Sequence, residues 1–436
     1  MTTQRPDIEV GAVILAAGLG ERMNHVRVPK PLVRMGGISL LERTYRTVRL
    51  GGVRGTIVVV VGHRGDEIAR FARDRYLDVK IVENPRYRHG NGTSVLAALP
   101  HLPERFVVAM ADHVHTPASV GALLACRGDF VAAVDTQPAY ADREEATHVR
   151  LRCGAVVAIG KGLEPYDALD TGLFVCSGPA LQQLALGPQD ELTWNAFKRL
   201  WLESDRMIEA CDIRGAPWID VDCSPDLRRA LDVVIRSVGS GSEGFVSRHL
   251  NRKLSTPITR LMLTTPVNPD QVSAIAFLTA VGGAAAMLGN RWRLGAALVQ
   301  LSSILDGCDG ELARARLESS PRGAVFDATL DRLADGLVIA GMATGAGSKR
   351  AHWAGYLALT GALLVPYTRA KMEAEFGEMP RKLTRFGVTR DVRLAALALG
   401  ALVGRPLPTL VAVAVSSNIE VVRRLGTRPY SGKQED

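Results

Sequence analysis

Hydrophobic and polar positions alternate on different scales in the two halves of this chain. Up to about residue 230, short runs rich in Val, Ile, Ala and Phe recur at Val10–Ala16, Thr56–Val61, Val79–Glu83, Phe106–Met110, Phe130–Val134 and Thr171–Cys176. Between them the apolar positions take a helical period, as in Leu40–Leu50 and Asp66–Arg75. Strands alternating with helices predict an α/β domain whose mostly parallel sheet is covered on both faces. No run in this half is long enough to cross a bilayer. After residue 260 the texture changes to long stretches of Ala, Gly, Leu and Val near 269–289, 292–312, 322–346, 352–372, 388–404 and 405–422. These predict six helices, although several are shorter or more polar than the ~20 apolar residues a spanning helix needs. A buried soluble bundle is the competing reading. The expected boundaries are a domain at 1–236, a connector at 237–263 and a helical domain at 264–430. The connector holds a flexible Ser240–Gly244 run, then Phe245–Leu254, where Phe, Val and Leu mix with Arg248, Arg252 and Lys253 as in an interfacial amphipathic helix.

Two of the long apolar stretches carry carboxylates where they are expensive. Asp306, Asp309, Asp327 and Asp331 fall at spacings of three and four, so each pair lies on one helix face. Ionised side chains in an apolar layer are rare and usually functional. Four carboxylates brought together repel unless cations separate them, and oxygen-only ligation suits Mg²⁺ or Mn²⁺. The pattern D-x2-D-G-x2-A-R-x8-G-x3-D-x3-D, read at Asp306, Asp309, Gly310, Ala313, Arg314, Gly323, Asp327 and Asp331, resembles the signature of the CDP-alcohol phosphotransferase family. That resemblance implies an integral membrane enzyme of six transmembrane helices, a homodimer, that displaces CMP from a CDP-linked alcohol with a second alcohol. It implies metal ligands at Asp306, Asp309, Asp327 and Asp331, with Asp331 also the general base. Gly310 and Gly323 would let the nucleotide come close, and Arg314 would hold a phosphate. Arg369 and Arg390 are candidates for an acceptor phosphate, or are simply topology charges. With a cytosolic N-terminus, six spans put Arg314, Arg316, Arg322, Arg369, Lys371, Arg381, Lys382, Arg385, Arg423 and Arg424 inside. Arg291, Arg293, Lys349, Arg350 and Arg405 then lie outside, which follows the positive-inside rule. The expected location is the cell membrane, with the N-terminal domain cytoplasmic.

The first apolar run leads into Leu15-Ala16-Ala17-Gly18-Leu19-Gly20-Glu21-Arg22-Met23, then Pro29-Lys30-Pro31-Leu32. Gly18 and Gly20 let backbone N–H groups approach phosphates, Arg22 adds charge, and the two prolines aim Lys30 at a fixed point. Together these segments resemble the sugar-nucleotidyltransferase family, whose fold is Rossmann-like. The resemblance implies a metal on Asp112, within Ala109–His113, and on a carboxylate of Trp218–Asp222, where Asp222 is favoured over Asp220. His113 and His115 read as loop histidines. Asn91, Gly92 and Thr93 would hold the pyrimidine base with Leu15 and Ala16 nearby, and Lys161 and Asp170 would serve the acceptor phosphate. Ala111 stands where this family often has Gly. Lys30, Arg22 and Mg²⁺ or Mn²⁺ would offset the repulsion between a nucleoside triphosphate and a phosphorylated acceptor.

A domain that makes a CDP-linked alcohol, fused to one that consumes it, resembles a family of bifunctional enzymes. The resemblance implies CTP and inositol 1-phosphate as substrates and CDP-inositol as the intermediate. A second inositol 1-phosphate then gives di-myo-inositol phosphate phosphate and CMP. Transfer of another CDP-polyol to a lipid hydroxyl, or a non-catalytic half, are the alternatives. Composition adds little. The net charge of +8 suits anionic headgroups and nucleotide phosphates, and aromatics at 5% with no nucleic-acid module argue against nucleic-acid binding. Six cysteines without a C-x-x-C pair read as buried thiols of a reducing compartment. The first ten residues lack the basic-then-apolar order of a signal peptide.

Overall fold

The computed structural model describes residues 9–20, 23, 27–75, 77–183, 191–238, 251–376 and 389–426. The chain divides into two compact units, Met1–Ser237 and Val238–Asp436.

The first unit is built on a nine-stranded sheet. In chain order its strands are β1 (Val10–Leu15), β4 (Ile57–Val61), β5 (Lys80–Glu83), β6 (Arg105–Met110), β8 (Phe130–Asp135), β9 (His148–Arg152), β10 (Ala155–Gly160), β11 (Ala168–Ser177) and β12 (Ile208–Asp212). Two small ribbons pair β2 (Arg34–Met35) with β3 (Ile38–Ser39), and β7 (His113–Val114) with β13 (Ile219–Asp220). The order across the sheet is β5-β4-β1-β6-β11-β8-β12-β10-β9. Neighbours from β5 to β6, and β8 with β12, run parallel. The joints β6–β11, β11–β8, β12–β10 and β10–β9 are antiparallel. The sheet is therefore mixed, not mostly parallel. β9 and β10 form an antiparallel hairpin at the sheet edge, where Arg150 and Arg152 of β9 interrupt the apolar pattern. Helices such as Leu40–Leu50 and Pro117–Ala125 cover one face and Gly92–Ala98 and Trp194–Glu203 the other. This is why β1, β4 and β8 are apolar at nearly every position and not only at alternate ones. Of the cysteines, Cys176, Cys211 and Cys308 are buried, whereas Cys153 is exposed in the β9–β10 turn at φ 50°. The expectation of six buried thiols thus holds only in part.

The second unit is all helical. A short helix, Arg252–Met262, is followed by Pro269–Leu288, Trp292–Ala315, Pro321–Gly345, Lys349–Phe376, Arg390–Leu402 and Pro406–Leu425. These six agree with the six apolar stretches to within a few residues, except that Arg390–Leu402 has thirteen residues, about 20 Å of helix. One helix among the described residues, Pro269–Leu288, is long and apolar enough to cross a membrane. The proposed amphipathic segment Phe245–Leu254 lies mostly outside the described residues, as does Ser240–Gly244.

Small residues set the helix spacing. A Cβ on Gly295 would sit 3.0 Å from the Gly283 carbonyl oxygen, and one on Gly341 2.5 Å from that of Ala284. The backbones of Trp292–Ala315 and Pro321–Gly345 therefore pack tightly on Pro269–Leu288. Each rests on that helix far more than on the other, so the two motif helices are held together chiefly through Pro269–Leu288.

Candidate active sites

In the first unit, the loop after β1 borders a cavity of about 450 Å³ lined by Leu15, Ala16, Gly18, Gly20, Lys30, Asn91, Asp112 and Asp222, among others. Gly18 faces open space, with no atom within 4 Å of where a Cβ would be. Gly20 takes φ 64°, and a Cβ there would sit 3.1 Å from the Lys30 Cβ, so the glycine leaves room for the lysine stem. Asp112 follows β6, and the β7–β13 ribbon aligns Asp220 with His113. Trp218 anchors that ribbon by donating its indole N–H to Asp135 at 2.8 Å.

Lys30 Nζ donates to Asp112 and to Asp222, 2.7 Å each. Burial opposes its charge, but the two carboxylates outweigh burial and hold the ammonium above the usual lysine range. Burial likewise opposes the Asp112 carboxylate, yet His113 and Lys30 hold it below the usual range. His113 Nδ1 lies 2.9 Å from Asp112 and 3.6 Å from Asp220. Burial works against its imidazolium, and Asp220 and Asp112 overcome this, pushing it up to about 9. His113 is therefore part of the charged centre, which corrects its reading as a loop histidine. The helix after it is capped by Thr116, whose Oγ1 accepts from Ser119 N–H at 3.2 Å, so Asp112 is not spent on capping.

A second cavity of about 680 Å³ adjoins the first and shares Asn91, Met110, Asp112 and Asp222 with it. Lys161, Asp170 and Lys198 line it. Asp170 accepts from Gly172 N–H at 3.0 Å and from the buried Lys198 ammonium. Its oxygens are thus occupied by the protein, and what it positions is Lys198. Lys198 lies on the apolar face of Trp194–Glu203, where a lysine was the available signal that the sequence reading missed. Gly92 and Thr93 stand behind the cavity wall. Gly92 packs on Leu192, and Thr93 donates to the Gly90 carbonyl at 2.7 Å. Ser94 lines the cavity beside Asn91. Arg22 lies outside the described residues.

In the second unit, Asp306, Asp309 and Asp327 each offer a carboxylate oxygen within 4.8 Å of the others. Asp309 is buried and also accepts from the Ser273 hydroxyl and the Gly310 N–H. Asp331 is turned to Arg390, whose Nη1 lies 2.7 Å from Asp331 and 2.6 Å from Asp306. Arg390 Nε also donates to Asp335 at 3.1 Å, and Arg393 donates to the other oxygen of Asp335 at 2.9 Å. Asp335 continues the four-residue series Asp327, Asp331, and that periodicity would have found it. Arg332 lies 3.3 Å from Asp331. Five carboxylates outnumber three guanidinium groups, and the free donor set is oxygen only. The site therefore suits Mg²⁺ or Mn²⁺.

Three predicted residues are placed elsewhere or otherwise engaged. Arg369 is half exposed and pairs with Glu373 at 2.8 Å. Arg314 Nε donates to the Val238 carbonyl at 2.6 Å and its guanidinium covers Gly310. Gly323 donates its N–H to Ser320 Oγ at 3.0 Å, in the first turn of its helix.

These two sites define a nucleotidyltransferase-like domain joined to a CDP-alcohol transferase domain, and comparison with known proteins agrees. The MobA-like NTP transferase domain matches residues 12–168, and the CDP-alcohol phosphatidyltransferase family matches residues 267–419. The chain is 60% identical over 417 residues to the bifunctional IPC transferase and DIPP synthase of Rubrobacter xylanophilus, covering 95% of this chain and 96% of that one. It is 38% identical over 371 residues to the protein of the same name from Archaeoglobus fulgidus, covering 84% and 72%. The solved inositol-1-phosphate CTP transferase from T. maritima has TM-score 0.46 and 23% identity, over 52% of this chain and 96% of that one. The chain belongs to the bifunctional IPC transferase and DIPP synthase family, and it is a transferase.

Proposed function

We propose that the first unit joins CTP and inositol 1-phosphate to give CDP-inositol and diphosphate. The second unit then joins CDP-inositol to another inositol 1-phosphate, giving di-myo-inositol phosphate phosphate and CMP. The observation that carries this reading is the Lys30–Asp112–Asp222 bridge at the junction of two cavities, in a chain whose whole length matches that bifunctional family. CTP would occupy the cavity under Gly18 and Gly20, and inositol 1-phosphate the one lined by Lys161 and Lys198. An acceptor phosphate oxygen then attacks the α-phosphorus and diphosphate leaves. Lys30 is the catalytic residue because its ammonium stands where charge accumulates on the phosphoryl oxygens.

A divalent ion fits the carboxylates Asp112, Asp220 and Asp222, of which Asp112 and Asp220 lie together beside His113 and Asp220 has an oxygen buried without a hydrogen-bond partner. In the second unit Asp306, Asp309 and Asp327 would hold it. In both places a divalent ion supplies charge that neutralises phosphate oxygens. Asp331 takes the proton from the inositol hydroxyl as that oxygen attacks the phosphorus bearing the first inositol, and CMP leaves. Arg390 orients Asp331 and reaches toward an acceptor phosphate.

The helical unit lies in a membrane on this reading. Support comes from Leu278, Val325, Trp353, Leu399, Ile419 and Val422, all more than a third exposed, a density of apolar surface that water disfavours. The family resemblance supports multiple spans, a homodimer and a cytoplasmic first unit. Mass spectrometry of products from the purified chain with CTP, Mg²⁺ and a panel of polyol phosphates tests the proposal. CDP-inositol and diphosphate, followed by a water-soluble inositol phosphodiester and CMP, are expected. A product that partitions into chloroform refutes the soluble acceptor. Unchanged CMP release in Asp309→Asn refutes the second site.

A further inference from the structure

Asp335 is buried, carries a charge, and has no part in the reaction as derived above. It lies one helical turn beyond Asp331, and its side chain is 4% exposed, as is that of Arg393. Its two oxygens are shared between two arginines of the helix Arg390–Leu402. Oδ1 accepts from Arg390 Nε at 3.1 Å and Oδ2 from Arg393 Nη2 at 2.9 Å. A buried carboxylate is costly unless paired and hydrogen-bonded, and here both conditions are met without using the Nη1 of Arg390. That nitrogen instead lies between Asp306 and Asp331, at 2.6 Å and 2.7 Å.

A guanidinium is planar, so holding Nε in place fixes the direction in which Nη1 points. Arg393 supplies the second positive charge that Asp335 needs. The charge of Arg390 is therefore left for the carboxylates of the reaction centre. Helix Arg390–Leu402 packs on Trp292–Ala315, and the Asp335 pairs tie it to Pro321–Gly345 as well.

We propose that Asp335 is a positioning residue for the CMP-releasing reaction. By clamping Arg390 at Nε, and being itself neutralised by Arg393, it holds Nη1 at the spacing that keeps Asp306 and Asp331 apart and Asp331 aimed at the incoming hydroxyl. This inference rests on the phosphotransfer reading of the helical unit.

The test is a double-substitution cycle on the full chain in detergent with CDP-inositol, inositol 1-phosphate and Mg²⁺, following CMP release. Asp335→Asn keeps shape and removes charge. It is expected to lower kcat at least tenfold while the KM for CDP-inositol stays within threefold, with a lower thermal midpoint of the helical unit because a buried pair is broken. Asp335→Glu is expected to recover part of kcat. Because Asp335 acts through Arg390, adding Asp335→Asn to Arg390→Ala is expected to cost nothing further. Losses that multiply in the double variant overturn the proposal, as does a kcat unchanged in Asp335→Asn. Should the Asn variant fail to fold, the same cycle run with Asp335→Glu decides by the same criterion. Absence of CMP release from the unsubstituted chain refutes the phosphotransfer reading and this inference with it. Multiplying losses with release intact refute this inference alone.

Discussion

Replacing Lys30 by Met removes the one cation that the described structure shows bridging Asp112 and Asp222. The substitution nearly preserves volume, so the effect is electrostatic. Two charge-assisted bonds of 2.7 Å are lost, each worth about 1.5–3 kcal/mol in a buried setting. The carboxylates are about a third exposed (32% and 31%), and solvent screening brings the sum toward the lower end. Loss of a preorganised donor aimed at developing charge typically costs about 2.7–4 kcal/mol, or roughly 10²–10³ in rate. Cytidylyl transfer, measured as diphosphate released from CTP and inositol 1-phosphate, is therefore expected to fall about 100- to 1,000-fold. CMP release from supplied CDP-inositol should be unaffected. The variant also leaves Asp112 and Asp222 facing each other without their shared cation, so its thermal midpoint should depend more steeply on Mg²⁺ than that of the unsubstituted chain. A rate within threefold of normal would refute the assignment of Lys30. So would a parallel loss of both activities, because that would signal unfolding and not chemistry.

Two further outcomes follow from the first unit. Breaking the buried Asp170–Lys198 pair by Asp170→Asn should cost about 3–5 kcal/mol, whereas Asp170→Leu with Lys198→Met should recover most of that stability; denaturant unfolding checks both. The double variant should still fail to use inositol 1-phosphate at ordinary concentration, which separates stability from acceptor binding. His113 bears on pH. Its folded value of about 9 lies above the ordinary histidine value of roughly 6.5, so the folded state binds the extra proton. Its stabilisation is complete below pH ~6.5 and is lost as pH rises through about 9. In chelator, hydrogen exchange of the Trp218–Asp222 segment should quicken across that window and should be nearly flat in His113→Gln. An equally steep response in the variant would exclude His113 as the group responsible.

The sequence by itself determined a good deal. Periodicity gave the central strands β1, β4, β6 and β8, because a strand covered on both faces must be apolar over its length, and the long apolar stretches gave the six helices that follow residue 268. The spacing of Asp306, Asp309, Asp327 and Asp331 placed each pair on one helix face, and Gly18, Gly20 and Lys30 marked the loop that borders the first cavity. Local chemistry fixes such features, so they are legible from neighbours in the chain. What only the tertiary structure decided are the partnerships between distant residues. Lys30 meets Asp222 across 192 positions, and Arg390 meets Asp335 across 55. The antiparallel joints of the sheet, the packing of both motif helices on Pro269–Leu288, the recruitment of His113 and the commitment of Asp170 to Lys198 belong to the same class. Which donor reaches which carboxylate depends on how helices and strands dock, and a pattern of residue types along one chain carries no record of that docking until the backbone has closed around it.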